Sequence, residues 1–338
     1  MPAFPFRPRR LLAPLVIVAS LSVAACGGAG SADDSESASG PAPVRFTTDS
    51  FVVGLPMWVG LDQGYFEEQD LEVSPQTYQT GVDGIKAVVA GQADVAVALD
   101  FGMMTALSDG LKVVGVVASP AAGFNKLAVQ GSITDPAQLS GKKMGFLPGT
   151  AQEYLTREFL AGQDLDDVEM VSLPGLFEVV GALKSSNIDG GFVFADGVAQ
   201  VEEDKKLEII GDDSSVITPG VQGIYLVAKE EWAASHQDVL ERLLAAYSKA
   251  IDFALESPAE AASITADAVK GDASSIEAAS AVEHWEMAFT ADQLGWLGKQ
   301  QAFLESAGNT NATGDLESYF DLAAMEEAVP GSVNAWSE

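Results

Sequence analysis

One pattern occurs twice in the chain, and it restricts the fold more than any other feature. The stretch Ile85-Lys86-Ala87-Val88-Val89-Ala90-Gly91-Gln92-Ala93-Asp94-Val95-Ala96-Val97 aligns with Val180-Gly181-Ala182-Leu183-Lys184-Ser185-Ser186-Asn187-Ile188-Asp189-Gly190-Gly191-Phe192. Each copy reads as the apolar end of a helix, a polar turn, an aspartate and a strand of small or apolar residues, the composition of a strand buried on both faces of a parallel sheet. The identity between the copies is too weak to establish a duplication. They are read as one supersecondary solution used once in each of two lobes.

The residues around each copy extend it. Val44-Arg45-Phe46-Thr47-Thr48 reads as a strand, Met57 to Gly64 as a helix after a Gly54-Leu55-Pro56 turn, and Leu71-Glu72-Val73 as a second strand. Thr80-Gly81-Val82-Asp83 caps a helix that stops at Gly91, and Asp94 to Leu99 is the buried strand that follows. Farther on, Lys126 to Val129 and Lys143 to Leu147 are strands, and Thr150-Ala151-Gln152-Glu153 is a full capping box opening a helix through Leu160. Leu207 to Ile210 and Gly223 to Val227 are further strands. From Glu230 onward everything reads as helical, with capping boxes at Ser257-Pro258-Ala259-Glu260 and Thr290-Ala291-Asp292-Gln293. The expected class is α/β, with two lobes built on mainly parallel sheets. The length after residue 43 supports two lobes, because it exceeds what a single core usually covers.

The start of the chain has a different character. Arg7, Arg9 and Arg10 precede an apolar run from Leu11 to Leu21 that is short for a membrane span, and Val23-Ala24-Ala25-Cys26 follows. Residues 1–25 therefore read as a secretory leader, and the small residues before Cys26 resemble a bacterial lipobox, in which that cysteine carries lipid. Residues 26–43 have the Gly, Ser, Ala, Asp, Glu and Pro composition of a flexible tether. Cys26 is the only cysteine, which removes any intramolecular disulfide or cysteine-ligated metal. Loss of the three leader arginines leaves 15 basic residues of the 18 against 49 acidic ones, a net charge of −34 in place of −31. No basic stripe exists to neutralise phosphates, so nucleic acid is excluded as a partner.

In open α/β sheets a ligand sits beyond the carboxyl ends of the strands, where backbone donors at helix starts are free. Reading those ends from the sequence gives Asp49, Ser50 and Phe51, then Gln79, Thr80 and Gly81, then Asp100 and Phe101. In the second lobe they are Pro148, Gly149 and Thr150, with Phe194 and Asp196, while Ser119, Phe124 and Tyr225 flank the connections between lobes. Each has a plainer reading. The phenylalanines fit equally well as core plugs, Thr80 and Thr150 as helix caps, and Asp100 and Asp196 as caps or lysine partners.

In order, Gln63-Gly64-Tyr65-Phe66, Leu71-Glu72-Val73, Ala90-Gly91-Gln92-Ala93-Asp94-Val95, Leu139-Ser140-Gly141-Lys142-Lys143-Met144-Gly145 and Pro148-Gly149-Thr150 resemble the nitrate, sulfonate and thiamine-precursor binding proteins, the SsuA/THI5-like family of ABC transporter substrate-binding proteins. The resemblance spans about Val44 to Ala254. It implies a type II periplasmic binding protein: two lobes, 44–126 plus 223–338 and 127–222, joined by crossovers near Phe124 to Gln130 and Gly220 to Ile224, hinging shut on a solute in the cleft. It further implies a monomer with an ABC permease and its ATPase as partners, no cofactor, and a place on the outer face of the cytoplasmic membrane, held by lipid on Cys26. A sensory receptor would need the same closure. Where family members often carry Trp-Glu-Pro, this chain has Phe194-Ala195-Asp196, so a relative's substrate does not transfer.

Ligand class follows from charge. A sulfonate or nitrate wants arginine, lysine or free helix starts, and Arg45, Lys126 and Arg157 fall off the expected cleft turns while Asp83 and Glu153 already occupy two helix starts. Aromatic residues and aspartates suit a neutral or cationic heterocycle, such as a thiamine-type pyrimidine precursor. Catalysis, the activity of one THI5-like branch, is not expected: His236 and His284 are the only histidines, both outside the cleft turns, and no nucleophile elbow or Walker loop is present.

Overall fold

The computed structural model describes residues 40–49, 52–120, 123–175, 178–194, 196–218 and 220–336. The leader, Cys26, Ser50, Phe51 and Ala195 lie outside them.

Alternating elements build the first part of the chain. Strand β1 (Ala42–Thr48) leads to helix α1 (Leu55–Asp62), β2 (Leu71–Thr77), α2 (Gly81–Val89), β3 (Val95–Leu99), α3 (Asp100–Ala106) and β4 (Leu111–Pro120). The Gly54-Leu55-Pro56 segment, expected as a turn before the helix, already belongs to it: Pro56 sits in the first turn of α1, where its missing N–H leaves no bond unmade. The second part runs β5 (Lys126–Gln130), β6 (Lys143–Phe146), α4 (Ala151–Gly162), β7 (Glu169–Ser172), α5 (Glu178–Lys184), β8 (Gly190–Val193), α6 (Asp196–Glu202) and β9 (Leu207–Asp212). After β10 (Ile224–Lys229) come α7 (Glu230–Ser235), α8 (Gln237–Glu256), α9 (Pro258–Val269), α10 (Ala273–Ser280), the short strand β11 (Glu283–His284), α11 (Ala291–Ala307) and α12 (Ala323–Ala328). The expectation of helix alone after Glu230 is corrected by β11, which pairs antiparallel with Ser119 and Pro120 at the end of β4.

The strands form two sheets. The first has the order β11-β4-β10-β3-β1-β2 and the second β7-β6-β8-β5-β9. The α/β class stands, and each sheet is mixed. The βαβ units give parallel pairs, β1 with β2 and β3 in one sheet and β6 with β7 and β8 in the other. The strands that the chain enters from a crossover run against them, β10 against β3 and β4, and β5 against β8 and β9. A chain that leaves one sheet and returns after completing the other enters from the opposite end, which reverses the strand.

Both repeat copies fold as the pattern requires. Val95 to Ala98 in β3 and the whole of β8 are buried, each following a helix that packs on the sheet through Ile85 and Val88 or through Val180 and Leu183. One crossover passes from β4 to β5 and the other from β9 to β10. Asp213 staples them: its carboxylate accepts from Gly123 N (2.8 Å), Asn125 N (3.0 Å) and Asn125 Nδ2 (2.7 Å), and its own N–H donates to Asn125 O (3.0 Å). The C-terminal helices return to the first sheet, with α8 and α9 against α1 and α12 against β4. No helix among the described residues is long and apolar enough to cross a membrane.

Candidate functional site

The carboxyl ends of β1, β3, β6 and β8 open on one cavity of about 680 Å³, lined from both lobes and from the C-terminal helices. That volume lies in the range of sites enclosing small organic molecules.

Most of the expected residues meet there. Asp49 and Asp100 end adjacent parallel strands. Both are buried and both line the cavity, with Gln79, Thr80, Gly81 and Phe101 beside them. Gly81 lets α2 approach β3 closely, since a Cβ at that position would lie 2.5 Å from the Ala98 Cβ. Pro148, Gly149 and Thr150 form the opposite wall, and Gly149, with φ +71°, makes the left-handed turn into α4. Phe124 and Phe194 also line the space. Their rings stack at 5.9 Å with 24° between planes, a position that β5 and β8 impose by pairing Lys126 with Val193.

The other expected residues separate. Tyr225 does not line the cavity: it is fully buried in β10, its ring set edge-on to Phe289 and its hydroxyl without a hydrogen-bond partner. Burial of its ring in the core beside Phe289 keeps it out of the space that the end of neighbouring β3 lines. Asp196 begins α6 and Ser119 lies in β4, placed by their backbones alone. Ser50 and Phe51 fall outside the described residues. The capping box expected at Thr150 does not form. The Thr150 hydroxyl donates to Leu147 O (2.7 Å), while Glu153 accepts from Gly149 N (2.8 Å) and Gln152 from Leu147 N (3.1 Å). The turn at Gly149 brings the earlier amides within reach, and the side chains of α4 take those instead.

Several lining residues have no signature in the sequence. Asn125 and Gln222 come from the crossovers, Gln200 and Glu203 from α6 and the residues after it, and Asn309 from beyond α11. One wall, Val269 to Ala279, belongs to α9 and α10. Asp272 caps α10, its Oδ1 accepting from Ser275 N (2.9 Å). Nothing local says that this start faces a cleft formed by strands that end from 79 to 224 positions earlier.

The electrostatics are one-sided. No lysine, arginine or histidine occurs among the described lining residues, whereas Asp49, Asp100, Glu203 and Asp272 do. Arg45 is bound to Asp94 and Arg157 to Glu153, and Lys126 lies 3.5 Å from Asp212. Hydrogen bonds from Ser274 and Ser275 hold the Asp272 carboxyl below its ordinary value. Burial raises that of Asp100, opposed by donors from Trp296 Nε1, the Phe101 amide and Gln300 Nε2, each at 2.7 Å. No group of three or more His, Cys, Asp or Glu among the described residues is arranged to hold a metal ion.

Comparison with known proteins adds a lineage to this geometry. The family model described as NMT1/THI5 like matches residues 53–261. A Brucella abortus (strain 2308) binding protein is 26% identical over 226 residues, covering 65% of this chain and 69% of the relative. Among solved structures, the aliphatic sulphonate binding protein SsuA from Escherichia coli superposes with a TM-score of 0.70 at 16% identity, over 82% of this chain and 92% of that one. The nitrate-binding protein NrtA from Synechocystis PCC 6803 gives 0.65 at 12% identity, over 85% and 88%.

Proposed function

Because the chain belongs to the NMT1/THI5-like family, we propose that it is the extracytoplasmic solute-binding component of an ABC importer, closing two lobes on a small organic molecule and passing it to a permease and its ATPase. The solute on this reading is a neutral or cationic heterocycle, such as a thiamine-type pyrimidine precursor.

The observation that carries the ligand class is the state of the helix starts around the cavity. Acidic side chains stand at four of them: at α2 the Asp83 amide donates to the Thr80 hydroxyl, which itself donates to the Asp83 carboxylate, while Asp100 accepts from the Phe101 amide at α3, Glu153 from the Gly149 amide just before α4, and Asp272 from the Ser275 amide at α10. These are the donors an oxyanion would use, and carboxylates beside them repel one. With the Phe124/Phe194 stack as a flat apolar wall, the surroundings favour an aromatic ring without negative charge.

Sulfonate, taurine or nitrate is the second reading, favoured by the names of the structural neighbours. A thermal-shift panel separates the two. Stabilisation by heterocycles is expected; stabilisation by taurine, alkanesulfonates or nitrate, with no response to heterocycles, would reverse the assignment. Neither reading asks the cavity for chemistry, and a THI5-like enzyme or a ligand-presenting receptor would instead show turnover of a retained molecule or a sensor partner. Anchoring through lipid on Cys26 belongs to the same proposal: Cys26→Ser is expected to release the protein from the membrane fraction, and an unchanged membrane association would overturn it.

A further inference from the structure

Asp100 raises a question that the family leaves open. The carboxylate is buried in the cavity wall, and the three groups that hold it, the Phe101 amide, Trp296 Nε1 and Gln300 Nε2, are all neutral. Gln300 and Trp296 lie one turn apart on α11 and reach the same oxygen from about two hundred positions away. The other end of the Gln300 amide, Oε1, is buried with no donor. Asp213, also buried, adds negative potential from behind the wall, and Tyr225 approaches as a neutral phenol. Asp49 stands at the end of the neighbouring parallel strand. Buried carboxylates without a cation are costly, and most such groups in proteins acquire a positive partner. Among the described lining residues none is available.

We infer that the solute supplies this charge: it is an organic cation, an amine or quaternary nitrogen set against Asp100, on a flat body lying against the Phe124/Phe194 stack, with Asp49, Asp272 and Glu203 adding negative potential from the surrounding walls. This narrows the proposed function and rests on it, since it presupposes that the cavity is a solute site. A cation there also favours closure, because carboxylates on both sides of the cleft repel one another until the charge between them is neutralised. Binding is linked to a proton. In the free protein burial raises the Asp100 carboxyl, and a cation beside it lowers it again, so Asp100 gives a proton to solvent as the solute enters and affinity rises with pH until Asp100 is ionised in the free protein.

The test is a thermal-shift series on the full chain with probes matched in ring and differing in charge. N-methylnicotinamide, tryptamine and benzyltrimethylammonium form the cationic arm, nicotinamide, tryptophol and benzyl alcohol the neutral arm, and nicotinate, indole-3-acetate and benzenesulfonate the anionic arm, beside a general nutrient library sorted the same way. Stabilisation concentrated in the cationic arm supports the inference. Stabilisation by neutral or anionic members at least as large overturns it and leaves the solute-binding reading intact, whereas no shift from any compound overturns the solute-binding reading itself. For the best cation, titration calorimetry in two buffers of different ionisation enthalpy, from about pH 4 to about pH 8, is expected to show proton release and tighter binding as pH rises. Cation binding without proton exchange anywhere in that range removes Asp100 from the site. Asp100→Asn is expected to weaken the same cation by roughly thirtyfold or more, and the proton measurement on the unaltered chain decides the matter if that variant does not fold.

Discussion

Glu283 is a buried side chain sensitive to pH, although it takes no part in the cavity. Both carboxylate oxygens are buried without a partner, and burial pushes the carboxyl up to about 8. In the unfolded chain the same group ionises near its ordinary 4.5. Between these values the folded protein must hold a proton that the unfolded chain gives up, so stability present below about 4.5 is lost as pH rises toward about 8. The loss is on the order of 5 kcal/mol. Glu283→Gln has no proton to hold, and its thermal midpoint is expected to fall less between pH 5 and 8 than that of the unaltered chain; parallel curves would refute the account. Gly81 is constrained by space instead. An alanine Cβ there would meet Ala98 Cβ at 2.5 Å and Ala98 Cα at 2.8 Å, so Gly81→Ala is expected to cost about 1–3 kcal/mol. It should also weaken solute binding, because the start of α2 lines the cavity; urea midpoints and a ligand titration check the two effects. Residue-level legibility divides along the same line. Asp49, Gln79 to Gly81, Asp100 and Phe101 are readable as cavity lining because strand ends announce themselves locally, whereas Asn125 and the Asp213 staple depend on contacts 88 or more positions apart for which no local pattern exists.

At the scale of elements, identical patterns do not guarantee identical bonds. Thr290-Ala291-Asp292-Gln293 forms its capping box, with Gln293 N donating to the Thr290 hydroxyl at 3.3 Å and Gln293 Oε1 accepting from Thr290 N at 2.9 Å. Ser257 starts α9 without any side-chain cap, correcting the expectation for Ser257-Pro258-Ala259-Glu260. Pro258 explains part of the difference, because it removes one of the orphan amides and fixes the helical φ on its own. Thr290→Ala is therefore expected to lower stability by about 1 kcal/mol, and Ser257→Ala to leave it within about 0.5 kcal/mol, as measured by denaturant midpoints. An equal loss in both would show that the boxes contribute alike. The sequence pattern located all three helix starts, at Thr150, Ser257 and Thr290, because capping chemistry depends on residue type. It does not report which amides the neighbouring turn brings close. Strand direction was hidden for a similar reason. The apolar runs of β5 and β10 identify them as buried, but only the path of the whole chain makes them antiparallel to their neighbours.

For the whole molecule, the decisive contact is one that joins the lobes directly beside the solute site. Tyr154 of α4 in the second lobe packs edge-on against Trp296 and Phe303 of α11, both at 5.3 Å, and Phe101 of the first lobe completes the cluster at 5.6 Å from Tyr154. Buried apolar residues therefore run from one lobe into the other through α11, while a second, smaller cluster around Val179, Leu183 and Ile188 stays within the second lobe. Such a bridge favours the closed arrangement before any ligand arrives. If closure is what makes the site competent, the measured dissociation constant equals the intrinsic one divided by the closed fraction. Tyr154 and Phe303 are absent from the cavity lining, so truncating them removes no direct contact with the solute. Tyr154→Ala and Phe303→Ala are each expected to weaken binding of any solute that binds, to speed its release, and to increase the radius of gyration of the ligand-free protein in solution scattering. A saturating solute should restore the compact form, because its binding energy replaces what the aromatic contact contributed. Weakened affinity with an unchanged radius of gyration would mean that these rings shape the cavity wall and do not set the balance between open and closed.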